Sequence, residues 1–129
     1  MSYPERISKF TDLNAWQEAH KLTLIIYSHT NLFPKNELFG LTSQIRRAVV
    51  SIESCIAEGF SRYHYKDRLT FYFDSRGSLA EVESQSITAR DLKYITNENY
   101  KQIIDQAEKV SIILGGLIRK TQSLSEVKM

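Results

Sequence analysis

The sequence predicts an all-α protein, an antiparallel up-down-up-down four-helix bundle. Three observations predict it. Four long segments carry apolar residues at a helical period. Only 5 Gly and 2 Pro occur in the chain, too few for a loop-rich or all-β architecture. The connections between segments are short, which makes consecutive helices antiparallel neighbours. At 129 residues the chain is expected to form one domain, 1–129, burying about two-thirds of its unfolded surface.

Residues 1–10 read as an extended N-terminal arm, with Pro4 discouraging a helix before it. Thr11 or Asp12 is expected to cap a first helix over roughly 12–30. Its apolar residues (Leu13, Ala15, Trp16, Ala19, Leu22, Leu24, Ile25, Ile26 and Tyr27) cover about two-thirds of the circumference, whereas a bundle helix needs a stripe of about 100°. The surplus predicts a second contact, most simply another subunit, through Trp16, Leu22, Ile25 and Ile26. Pro34 then separates the first helix from the second.

The second helix has the longest uninterrupted apolar period: Leu41, Ile45, Ala48, Val49, Ile52, Cys55, Ile56 and Phe60, widened by Leu38, Val50 and Ala57. Asn36 or Thr42 is its expected cap, and Gly59 its expected stop. Arg46 and Glu53 lie at the edge of the apolar arc, either as an edge ion pair or snorkelling side chains, or facing a partner. The third helix is expected over about 66–95, with Leu69, Phe73, Leu79, Ala80, Ile87 and Tyr94 on its buried face and Tyr72 beside it. Arg76, Glu83 and Arg90 run beside that face at seven-residue spacing, and Gly77 suggests close helix packing. Asn97 should cap a fourth helix, about 98–121, whose stripe runs Tyr100, Ile103, Ile104, Ala107, Val110, Leu114, Leu117, Ile118. Gly115 and Gly116 should fray or tighten it late, and residues 123–129 read as a disordered tail.

The chemistry of a catalytic or metal site is missing from the sequence. None of His20, His29 and His64 has a Glu three residues before it, and no HExxH occurs. Gly40, Gly59 and Gly77 are isolated and follow no strand, so they form no phosphate cradle. Glu81 and Glu83 are two apart and diverge on a helix, while Asp105 and Glu108 read as a solvated acidic patch. Cys55 is single, so no internal disulfide forms, and its place in the apolar arc predicts a buried, inert thiol. The sequence thus predicts no enzyme, no cofactor and no metal. A signal peptide and an apolar stretch of about 18 residues are both lacking, which makes the cytoplasm the expected compartment and argues against a membrane partner.

The functional lead is basic. The net charge is +2 with a pI near 8.7, which permits nucleic-acid binding without demanding it. Arg46, Arg47, Arg62, Lys66 and Arg68 gather around the second helix and the link after it, interleaved with Tyr63, His64 and Tyr65. Guanidinium and ammonium groups bind phosphates, and tyrosines stack on unpaired bases. The plainer alternative is a solvated loop whose charges pair with Glu53, Glu58 and Asp67.

These residues also carry a resemblance. Phe10-Thr11-Asp12-Leu13 with Trp16-Gln17, Phe33-Pro34, and Glu37-Leu38-Phe39-Gly40-Leu41-Thr42-Ser43-Gln44 form its first part. Arg46-Arg47-Ala48, Ser51-Ile52, Ile56-Ala57-Glu58-Gly59, Arg62, Gly77-Ser78-Leu79-Ala80-Glu81-Val82-Glu83 and Gly116-Leu117-Ile118 continue it. Together they resemble the small bacterial four-helix-bundle proteins associated with intervening sequences of the 23S ribosomal RNA gene, a family that includes the accessory protein of diversity-generating retroelements. Glu53 and Cys55 depart from the family pattern, which often has proline and asparagine there. The resemblance implies a homo-oligomer, typically a pentameric ring. It also implies a non-enzymatic adaptor that binds RNA or DNA through a basic surface, with a reverse transcriptase as protein partner in the retroelement relatives. The alternative function is a protein-interaction scaffold that binds no nucleic acid.

Overall fold

Four α-helices follow one another along residues 7–127, the part of the chain that the computed structural model describes: α1 Asn14–Thr30, α2 Leu41–Phe60, α3 Tyr65–Asp91 and α4 Asn97–Val127. Short 3-10 turns at Phe10–Asp12 and Lys35–Glu37 precede α1 and α2, and no strand occurs among the described residues. Each helix packs on its two neighbours in the ring α1–α2–α3–α4, while the diagonal pairs stay apart across the core. Cross-helix pairs give the direction. On α1 and α2, Thr30 meets Arg46 while Thr23 and His20 meet Glu53. On α2 and α3, Ser51 meets Ser78 while Gly59 meets Tyr72. Both pairs of helices therefore run antiparallel, as do α1 and α4, where His29 meets Gln102 and Glu18 meets Gln106, and the bundle is up-down-up-down. Most of the expected N-terminal arm lies outside the described residues.

The α2 and α4 stripes point inward as their periodicity predicts: Ile45, Val49, Ile52 and Ile56 from α2, and Ile103, Val110, Leu114 and Ile118 from α4, are buried. On α1, Leu22 and Ile26 join them with 0% exposure. This corrects the expectation that these two form a subunit contact, because the single chain already covers both. The surplus on α1 is smaller than its composition suggests; Trp16 and Ile25 are half-buried against the core, and Leu24 and Tyr27 are exposed.

Helix α3 departs most from its expected face. Its buried line is Tyr72, Ser75, Ser78, Leu79, Val82, Ser86 and Ala89, while Phe73, Ala80 and Ile87 are exposed. Hydropathy counts serine as polar, yet a buried hydroxyl is tolerated where it is hydrogen-bonded. Ser75 Oγ donates to the Ile52 carbonyl at 2.8 Å, and Ser78 Oγ to Ser51 Oγ at 2.9 Å. Small side chains here bring α3 close to α2. Gly59 belongs to that approach rather than to a helix stop: a Cβ there would lie 2.8 Å from Tyr72 Cε1 and 2.9 Å from Phe71 Cβ. Gly77, expected at a close contact, has nothing within 4 Å of its Cβ position.

The helix ends also differ from the expected caps. No side chain caps α1; instead Gln17 Nε2 reaches back to the Thr11 carbonyl at 2.9 Å. The Glu37 carboxylate accepts the Leu41 N–H at the start of α2, and Thr96, one residue before Asn97, accepts the Asn99 N–H at the start of α4. Helix α3 stops at Asp91, short of Tyr94, because Lys93 turns into the left-handed region (φ 64°). Tyr94 N–H then bonds the Ala89 carbonyl and Lys93 N–H the Arg90 carbonyl, the paired bonds of a Schellman stop. Helix α4 continues through Gly115 and Gly116 and takes in residues 123–127, part of the expected tail; residues 128–129 lie outside the described residues.

Candidate nucleic-acid interface

The turn from α2 to α3 forms a tip built from Ser61 to Arg68. Its closure is local: Arg62 N–H bonds the Gly59 carbonyl, and both Asp67 and Arg68 N–H groups bond the His64 carbonyl. Arg68 Nε donates to the Arg62 carbonyl at 2.8 Å and spans the turn from the far side. The Arg68 guanidinium lies 5.0 Å from the Phe60 ring centroid and 5.4 Å from that of Tyr65. Arg62 lies 4.6 Å from the Phe71 centroid and bonds Glu58 at 3.0 Å. Stacking on aromatic faces fixes the direction of both guanidinium groups at modest cost in solvation.

Two side chains of the tip remain uncommitted. Lys66 is exposed and makes no ion pair among the described residues, and Tyr63 is 88% exposed with its ring edge-on to His64 at 5.0 Å. The α3 N-terminus adds its own partial positive charge, offset by Asp67 in the first turn. Among the described residues, the tip thus presents to solvent one free cation, Lys66, and the exposed Tyr63 ring. Its other two cations are held in place within the chain, Arg62 by Glu58 and Arg68 by the Arg62 carbonyl.

The five expected binding residues do not form one cluster. Arg46 and Arg47 sit 16 positions or fewer before Arg62 on α2, so at 1.5 Å per residue they lie about 24 Å away, toward the opposite end of the bundle. Arg46 is committed within the chain. Its Nε donates to Thr30 Oγ1 at 2.8 Å, its Nη2 to Asn31 Oδ1 at 3.1 Å, and its guanidinium lies 4.6 Å from the Tyr27 centroid. Glu53 is likewise satisfied inside the chain, taking Thr23 Oγ1 at 2.6 Å and His20 Nδ1 at 3.2 Å. Arg47 is exposed on the rim of a shallow groove of about 400 Å³ lined by Tyr27, Leu38, Thr42, Ser43, Arg46 and Val50. Phe39, next in sequence to the lining residue Leu38 but not itself in the groove, is 92% exposed in the loop before α2. Nothing in the periodicity marks Phe39, which lies between the turn at Lys35–Glu37 and the helix.

Cys55 is half-buried, with Ser51 Oγ 3.7 Å from its sulfur. Among the described residues, no three His, Cys, Asp or Glu side chains converge as metal ligands, and no helix is long and apolar enough to cross a membrane.

Comparison with known proteins bears on the fold and the family. No curated protein matches the chain. Among solved structures, it is similar to a protein of unknown function from the S23 ribosomal protein family of Bacteroides thetaiotaomicron. The two share 20% identity at a TM-score of 0.73, over 81% of this chain and 97% of the other. At that identity the likeness concerns the fold. The family model for the 23S rRNA-intervening sequence protein matches residues 11–116, from the first 3-10 turn through most of α4. The chain belongs to the 23S rRNA-intervening sequence protein family.

Proposed function

We propose that the chain is a non-catalytic, self-associating cytoplasmic adaptor that holds unpaired RNA or DNA at the α2–α3 tip. The observation that carries this reading is the bare ring of Tyr63 next to Lys66, on a turn that Arg68 closes onto the Arg62 carbonyl. Phosphates would be neutralised by Arg62, Lys66 and Arg68, and an unstacked base would lie on Tyr63. Arg46 and Arg47 take no part in this reading, since they lie about 24 Å away toward the other end of the bundle. One tip of three cations is a weak site, and self-association, pentameric by family resemblance, raises its avidity. The test is titration of a short fluorescent single-stranded RNA. Tyr63→Ala should weaken binding by about tenfold, within the range for loss of one base stack, and Lys66→Glu should weaken it further at low salt. Equal affinity for wild type and both variants would rule out the tip.

A second reading is favoured by a separate observation, Phe39 at 92% exposure in the loop before α2, next to the exposed Leu38. An apolar ring so bare is a typical anchor for a protein partner, and a reverse transcriptase is the partner that family resemblance suggests. A stoichiometric complex that survives nuclease and is lost in Phe39→Ala would favour the scaffold; its persistence in that variant would count against it.

A further inference from the structure

The outer face of α3 carries a second, unused seam. Phe73, Gly77, Ala80, Ser84 and Ile87 follow one line along the helix, and all five are exposed, Phe73 by 39% and Ile87 by 41%. Phe73, Ala80 and Ile87 repeat every seven residues, the period that keeps one helix facing another. Large residues stand at the two ends of the line and small ones at its middle, with open space beyond Gly77. A straight helix could therefore come close at the centre and be gripped at both ends.

Charge identifies the occupant. Arg76 and Glu83 flank the seam on one side, seven residues apart, and neither makes an ion pair among the described residues. Arg76 lies along the seam over Phe73, its guanidinium 5.0 Å from that ring centroid. An antiparallel copy of the same helix, related by a two-fold axis at Ala80, sets Phe73 opposite Ile87 of the second copy and Ala80 opposite Ala80. The same operation brings Arg76 beside Glu83 of the second copy, and Glu83 beside its Arg76. The seam is complementary to itself.

We infer that the outer face of α3 is a two-fold docking surface for a second copy of this chain, centred on Ala80. The inference rests on the reading that the chain self-associates and adds to that association a second contact, on α3. A two-fold contact is isologous and does not close a ring of five; alongside such a ring it would join two rings.

The test uses the full chain and reads its mass in solution. Glu83→Arg places two arginine pairs across the axis, weakens the contact at least about tenfold and halves the mass. The charge swap Arg76→Glu with Glu83→Arg restores the pairs and the wild-type mass, which a folding defect would not do. In a Cys55→Ser background, Ala80→Cys should cross-link to itself on oxidation with the wild-type charges in place. A wild-type oligomer of odd subunit number, unmoved by Glu83→Arg and without the Ala80→Cys cross-link, would overturn the α3 contact and leave self-association standing. A monomeric wild type would overturn both.

Discussion

Glu37 and Tyr94, fifty-seven residues apart, latch one end of the bundle. Tyr94 donates its hydroxyl to Glu37 at 2.8 Å while its ring packs 5.5 Å from that of Phe33, and the other carboxylate oxygen takes the Leu41 N–H. The Leu41 N–H first, and the Tyr94 hydroxyl second, hold the Glu37 carboxyl below its ordinary 4.5. A lowered folded value means stability that is complete above about pH 4.5 and lost as the pH falls through the folded value. Glu18 behaves alike, lowered chiefly by the Gln106 amide and next by Lys21. Glu37→Gln should therefore flatten, though not abolish, the acid limb of the melting temperature against pH; an unchanged limb would mean that the latch is not coupled to folding. Lys93 is the other residue-scale feature, an L-residue at φ 64° where glycine fits best. Lys93→Gly is expected to raise stability by about 1 kcal/mol in denaturant unfolding. Neither feature is legible in sequence. The latch joins residues on two different loops, and a lysine gives no sign of a left-handed turn.

At the scale of elements, α2 and α4 were legible because their buried lines are apolar but for Thr42 and Thr121, and α3 was not because three of the seven residues of its buried line are serine. Two of these hydroxyls, Ser75 and Ser78, find partners on α2 while Ser86 Oγ finds none, and hydropathy alone selects the exposed line of Phe73, Ala80 and Ile87. The two glycines follow from this inversion. Gly59→Ala forces Tyr72 and Phe71 away from α2 and should cost stability, by about 1–3 kcal/mol as overpacking does. Gly77→Ala adds a methyl that meets nothing within its own chain, so in the dilute monomer, where the α3 seam is unpaired, it should stabilise by about 1 kcal/mol. Opposite signs in paired denaturant melts of the dilute monomer check the packing of α3; a destabilising Gly77→Ala there would mean that another part of the same chain covers this side. The wide apolar surface of α1 was visible in its composition, but the composition could not say that Leu22 and Ile26 already face the core of their own chain.

The topology of the whole molecule was legible in four periodic segments and three short links. The separation of the candidate basic residues was not, because residues close in sequence along α2 and the turn after it stand toward opposite ends of a bundle. Arg46 and Arg47 belong to the end latched by Glu37 and Tyr94, while Arg62, Lys66 and Arg68 occupy the other. Helix α4 brings exposed Arg119 and Lys120 back toward that second end, so its positive charge comes from more than one element. The proposed binding depends on electrostatic capture at the tip, which salt tests directly. The decisive measurement is the affinity of the chain for a short single-stranded RNA across a salt series. Three phosphate contacts predict a slope of log affinity against log salt near −2 per tip, and Lys66→Ala should make it shallower by about 0.7. A salt-independent affinity, or a slope that Lys66→Ala leaves unchanged, would contradict it.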